Sequence, residues 1–220
     1  MPPDKATLKC ENRVDRLFGR QASGLAGCTV RHLTKLFKRK VTDDSAEEAC
    51  ESAVNGRTRA KLGVLVDRRI CTHPCTDRAH FDQGIDLVSR TIEAFSGLVA
   101  CEGSRPWPGS DDANAKIPST KAILKCELGV GRAALKLSAA HDECQIKQAT
   151  SRFANTEPPF DEDACHTAAE NNYDGAVGKL RGCPSCLDPA AVKPLIRMFG
   201  DGDNGGIYCA STSGAFLEGF

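Results

Sequence analysis

The stretch CTHPCTDRAH at 71–80 puts Cys71, His73, Cys75 and His80 within ten residues. Those are the residue types that bind zinc when the thiols are spared from oxidation. A second close cysteine pair, CPSC at 183–186, has the spacing of a redox dithiol, a zinc knuckle or a c-type haem attachment. Covalent haem needs His directly after the second cysteine, and Thr76 and Leu187 stand there instead. A redox dithiol is expected after a strand in a βαβ pattern, which the chain lacks. The second pair has no histidine beside it, so the two stretches share no ligand set. Metal binding through the Cys71–His80 segment therefore stands as one expectation, and full oxidation of the cysteines would remove it.

Other stretches carry weaker chemistry. GDGDNGG at 200–206 could present Asp201, Asp203 and Asn204 to Ca²⁺ from a tight glycine loop, although Thr212 stands where an EF-hand has its bidentate Glu. The same residues match GxGxxG, but they follow a helical pattern and open no helix, and their carboxylates would repel phosphate. The densest basic run, RHLTKLFKRK at 31–40, offers Arg31, Lys35, Lys38, Arg39 and Lys40 to an anionic polymer; the alternative is a solvated loop. The chain has no GxSxG, HExxH or GxxxxGK[ST], and its five histidines fall at no matching positions in the two halves. No catalytic constellation emerges, and we expect no enzyme.

The elements that must position these residues are read from an internal echo. KATLKCENRVDR at 5–16 returns as KAILKCELGVGR at 121–132. Six cysteines follow in the same order in each half: Cys10, Cys28, Cys50, Cys71, Cys75 and Cys101, then Cys126, Cys144, Cys165, Cys183, Cys186 and Cys209. Their gaps are 18, 22, 21, 4 and 26 in the first half and 18, 21, 18, 3 and 23 in the second. Near-equal gaps of this kind read as a tandem duplication. The expected division is 1–101 and 120–211 for the two six-cysteine units, with a Pro/Gly linker over 102–119 and a tail over 212–220. Trp107, the only tryptophan, lies in the linker and is expected to pack on a unit and fix it.

A gap of 18 is five helical turns, so Cys10 and Cys28 share a face with Val14, Leu17, Gln21 and Leu25. Cys126 and Cys144 do the same with Val130, Ala133 and Leu137. Helices of similar length are expected over Cys50–Cys71 and Cys165–Cys183. Antiparallel pairing then predicts the bridges Cys10–Cys71, Cys28–Cys50, Cys126–Cys183 and Cys144–Cys165, one choice among the fifteen that six cysteines allow. Cys75–Cys101 and Cys186–Cys209 would tie down a third segment in each unit. In the first unit that segment is an amphipathic helix marked by Phe81, Ile85, Val88, Ile92, Phe95 and Val99. In the second, Asp188 and Pro189 open it and Gly200 is expected to stop it. The fold class is mostly α: two tandem disulfide-stapled helical hairpins, each with a third helical segment.

The nested cysteine pairs resemble those of twin-cysteine helical hairpins, the coiled-coil-helix proteins of the mitochondrial intermembrane space. The KCE…C…AC…KL…CxxC run also resembles cysteine-stapled helical repeats of secreted bacterial proteins of unknown function. The resemblance implies the architecture and no activity.

Twelve cysteines in 220 residues point to disulfides and so to an extracellular or periplasmic home. MPPDKATLKC contains no apolar signal core, and Met1 is expected to begin a mature-length chain or a trimmed gene model. No run is long and apolar enough for a membrane span. Net charge is zero, but residues 1–80 hold 16 Lys and Arg against 10 Asp and Glu. The leading expectation is a non-enzymatic secreted binding or structural module without a cofactor. Its partner would be an extracellular protein, an anionic polymer or a second copy; nucleic acid is disfavoured. A second expectation is a carrier in which the Phe81–Val99 face lines a cavity for a lipid or small apolar ligand.

Overall fold

The computed structural model describes residues 4–73, 76–108 and 114–208, apart from the side chains of 199–206. Six helices carry the fold: α1 (Lys5–Phe37), α2 (Ser45–Asp67), α3 (Arg78–Val99), α4 (Lys121–Ala154), α5 (Glu162–Val177) and α6 (Pro189–Ile207). Oxygen-bearing side chains start four of them. Asp4, Asp77, Thr120 and Asp161 accept the backbone N–H of Thr7, His80, Ile123 and Ala164, satisfying donors that have no partner inside the helix. Asn155 closes α4 in the left-handed region at φ 52°, which asparagine tolerates better than most residues.

The disulfides Cys10–Cys71 and Cys28–Cys50 join α1 to α2 as an antiparallel hairpin. Cys126–Cys183 and Cys144–Cys165 do the same for α4 and α5. All four lie where the helical spacing predicts them. The partner helices stop early, however: α2 ends at Asp67 and α5 at Val177, so Cys71 and Cys183 sit in the connections that follow. In those connections Arg69 has φ 53° and Gly182 φ 71°, both outside helical geometry.

The third bridge corrects the expectation. Cys101 pairs with Cys186, across the two units, and not with Cys75; Cys186 is therefore not joined to Cys209. Cys75 and Cys209 lie outside the described residues. The physical reason is packing: Phe95 and Cys101 rest against the core of the second unit, beside Cys126, Val130, Leu187 and Val192. In the first unit's core, Ile207 and Tyr208 pack with Leu8, Val14, Phe81 and Ile85. Each third helix thus reaches into the other unit. The segment 200–206 is also helical, as the last turns of α6, where a stop at Gly200 and an open loop were expected.

Between the units, Asn12 Nδ2 donates to Thr150 Oγ1 at 3.3 Å, and a Cβ on Gly19 would press on the Asp142 carboxylate. Residue numbers rise on one helix as they fall on the other, so α1 and α4 run antiparallel. Helix α3 runs parallel to α1: Phe18 fills the space over Gly84, and Gln21 Nε2 donates to Ile85 O at 2.9 Å. The linker folds into a two-strand ladder, β1 (Arg105–Pro106) with β2 (Lys116–Ile117), pairing Arg105 with Ile117. Trp107 is buried among Leu33, Leu36, Ile117 and Leu124, residues from both units, and its Nε1 donates to buried Glu47 at 3.1 Å.

Candidate functional site

Helices α1, α3 and α4 enclose a cavity of about 350 Å³. Its walls come from periodic stripes. Along α1 they are Asp15, Gly19, Ala22, Ala26, Thr29 and Leu33; along α4, Leu128, Gly131, Leu135, Ser138, Asp142 and Gln145. Spacings of three and four residues keep each stripe on one helix face, distinct from the face that carries the hairpin cysteines. Helix α3 contributes Phe81, Val88, Ile92, Phe95 and Val99, with exposed Leu87 and Gln83 at the rim. The lining is mostly apolar. From Asp15 to Leu33 it follows α1 for about 27 Å, so the space is long and narrow. Its volume falls in the range of about 300–1,000 Å³ typical of small-molecule sites.

The carboxyl groups stand toward the two ends. At one, Asp15 is 2 % exposed, and Tyr208 Oη lies 3.0 Å from its Oδ2 and 2.9 Å from Asn12 Oδ1. One phenolic hydrogen cannot serve both acceptors at once. Burial, and then the nearby Asp142 carboxylate, push the Asp15 carboxyl well above the usual range; a protonated Asp15 can itself donate. Gln145 stands level with Asp15, because the Asn12–Thr150 and Gly19–Asp142 contacts flank that pair on both helices. It is 4 % exposed, and its Nε2 has no hydrogen-bond partner.

At the other end are Trp107 and Glu127. Glu127 is fully buried; its Oε1 accepts from the Glu102 N–H at 3.1 Å and its Oε2 has no partner. Desolvation raises this carboxyl to about 7, against a smaller lowering by backbone hydrogen bonds. Among the described residues that line the cavity there are three carboxyl groups and no Lys or Arg.

Of the described residues singled out in the sequence for metal or anion binding, His80 alone lines the cavity. Cys71 is oxidised to Cys10, which removes a thiolate from the proposed zinc set, and His80 is held against Asp77 at 2.8 Å. No group of three or more His, Cys, Asp or Glu among the described residues could hold a metal ion. Asp201, Asp203 and Asn204 lie on α6 and their side chains are outside the description, so the expected calcium loop is replaced by helix. In the basic run, Arg31 and Lys35 belong to α1, and Lys38, Arg39 and Lys40 follow it, all five exposed. Arg31 is already engaged, with Nη2 3.0 Å from the Cys50 sulfur.

The α3 side of the cavity was legible in the sequence. The α1 and α4 stripes were missed, although their three-and-four spacing was available; their mixed polarity hid them beside the cysteine faces. A buried stack of His141 on His166, with ring centroids 4.3 Å apart, also went unread because the two come from different helices. Desolvation, then the second ring, lower His141 to about 4, so the His141 ring is held as the neutral imidazole. No protein-family model, curated protein or solved structure matches this chain.

Proposed function

We propose that this protein is a non-enzymatic, extracytoplasmic carrier that holds a small, elongated apolar ligand between α1, α3 and α4. The observation that supports this is the narrow apolar cavity itself, opening at Leu87 and Gln83. A frame cross-linked by disulfides suits the role, because two of the wall helices, α1 and α4, are stapled to their hairpin partners α2 and α5 whether or not a ligand is bound. The disulfides also support an oxidising compartment.

The test uses Trp107, which lines the cavity and is the only tryptophan. N-phenyl-1-naphthylamine, a neutral apolar probe, should bind saturably at one per chain and accept energy from Trp107. Ala26→Phe places a ring inside the cavity and should reduce probe affinity at least about tenfold, the cost of losing a good part of the apolar contact area. Far-ultraviolet circular dichroism checks that the variant folds. Absent or unsaturable probe binding by the wild-type chain would overturn the carrier reading.

A second reading rests on the exposed cations Lys35, Lys38, Arg39 and Lys40 at the end of α1. They support contact with an anionic polymer. Salt-sensitive retention on heparin, lost in a variant with all four changed to Ser, would favour it; elution with the void volume would remove it.

A further inference from the structure

We infer that the cavity is selective for a neutral chain ending in a hydroxyl group, seated with that hydroxyl at the Asp15–Gln145 end, and that it rejects a carboxylate-ended chain. This rests on the carrier reading and names its ligand class.

Two independent observations carry it. The first is the unpartnered amide of Gln145, nine-tenths buried on the cavity wall. A buried donor without an acceptor costs about 1–3 kcal/mol, and a ligand oxygen placed there would recover that cost. An ammonium group offers only donors and cannot do so, whereas a hydroxyl can. The second is charge. Asp15 and Asp142 stand at the same end, Glu127 at the other, and no described lining residue is a Lys or Arg. A carboxylate entering a space bounded by low-dielectric walls would lose its hydration and meet no Lys or Arg among the described lining residues, a burial proteins avoid. With the Gln145 amide turned into the cavity, a hydroxyl would serve both sides of the site: its oxygen would accept from Gln145 Nε2, and its hydrogen would be free for an Asp15 oxygen. The narrow shape adds that the apolar part is a single chain.

The experiment is displacement of N-phenyl-1-naphthylamine by ligands of equal chain length at neutral pH: 1-dodecanol, dodecanoate, dodecylammonium and dodecane. Expected is 1-dodecanol displacing the probe at a concentration about tenfold below any of the other three, the worth of one well-placed hydrogen bond to a buried donor. Gln145→Met, similar in shape and without a donor, should bring 1-dodecanol to within about twofold of dodecane, both measured against the variant's own probe affinity. Equal displacement by all four, or preference for dodecanoate or dodecylammonium, would overturn the hydroxyl assignment while leaving the carrier reading intact. Failure of the probe itself to bind would overturn both. Should Gln145→Met not fold, the wild-type ranking alone decides.

Discussion

Replacing Glu127 by Gln tests how the interior treats charge. The side chain is fully buried, with one oxygen on the Glu102 N–H and the other unpartnered. Below pH 4.5 the carboxyl is protonated in both the folded and the unfolded chain, and it contributes no pH dependence. Between 4.5 and about 7 the unfolded chain ionises and the folded chain does not. The folded pKa is the raised one, so the stability is fully present below the unfolded value and is lost as pH rises through the folded value. The gap corresponds to ~3 kcal/mol, at about 1.4 kcal/mol per pH unit. Gln keeps the size and the acceptor and cannot ionise. The unfolding free energy of Glu127→Gln minus that of the wild type should therefore climb by about 3 kcal/mol from pH 4 to pH 8. His141, whose lowered pKa makes stability fall toward acid, works in the opposite sense over the same window. It is present in both chains and cancels in the difference. Urea unfolding without reductant, followed by Trp107 fluorescence at each pH, supplies the numbers. A difference that stays flat with pH, or falls, would refute the claim that Glu127 is held in an unionised, desolvated state.

A digest of the unreduced protein should release a peptide pair joined through Cys101 and Cys186. Recovery of Cys101 joined to Cys75 would overturn that pairing. Changing Cys101 and Cys186 together to Ser should lower stability by as much as about 4 kcal/mol, the chain-entropy value for a closure of 85 residues, read from urea midpoints. Gly103 has φ +139° and lies against the Ile117 carbonyl oxygen. Gly103→Ala should cost about 2 kcal/mol or more, since both the dihedral and the contact oppose a Cβ; a thermal midpoint unchanged from wild type would refute that.

What could be read in the chain follows from how local each feature is. The α1–α2 and α4–α5 bridges depend only on helical periodicity and on a hairpin turning back on itself, so cysteine spacing was enough to pair Cys10 with Cys71 and Cys144 with Cys165. The apolar face of α3 was equally plain from Phe81 to Val99. Spacing within a unit carries no information on how two units meet. That was decided by α1 and α4 meeting at Asn12–Thr150 and Gly19–Asp142, with Phe95 and Cys101 packed into the second core and Ile207 and Tyr208 into the first. The Cys101–Cys186 bridge follows from that interlock. So does the cavity, because a space between three helices exists only once the third is in place. The sequence by itself determined which stretches form the hairpin helices and the staples within each hairpin. Tertiary packing alone brought Asp15 level with Gln145, since residues 130 positions apart become neighbours only through the antiparallel crossing of α1 and α4.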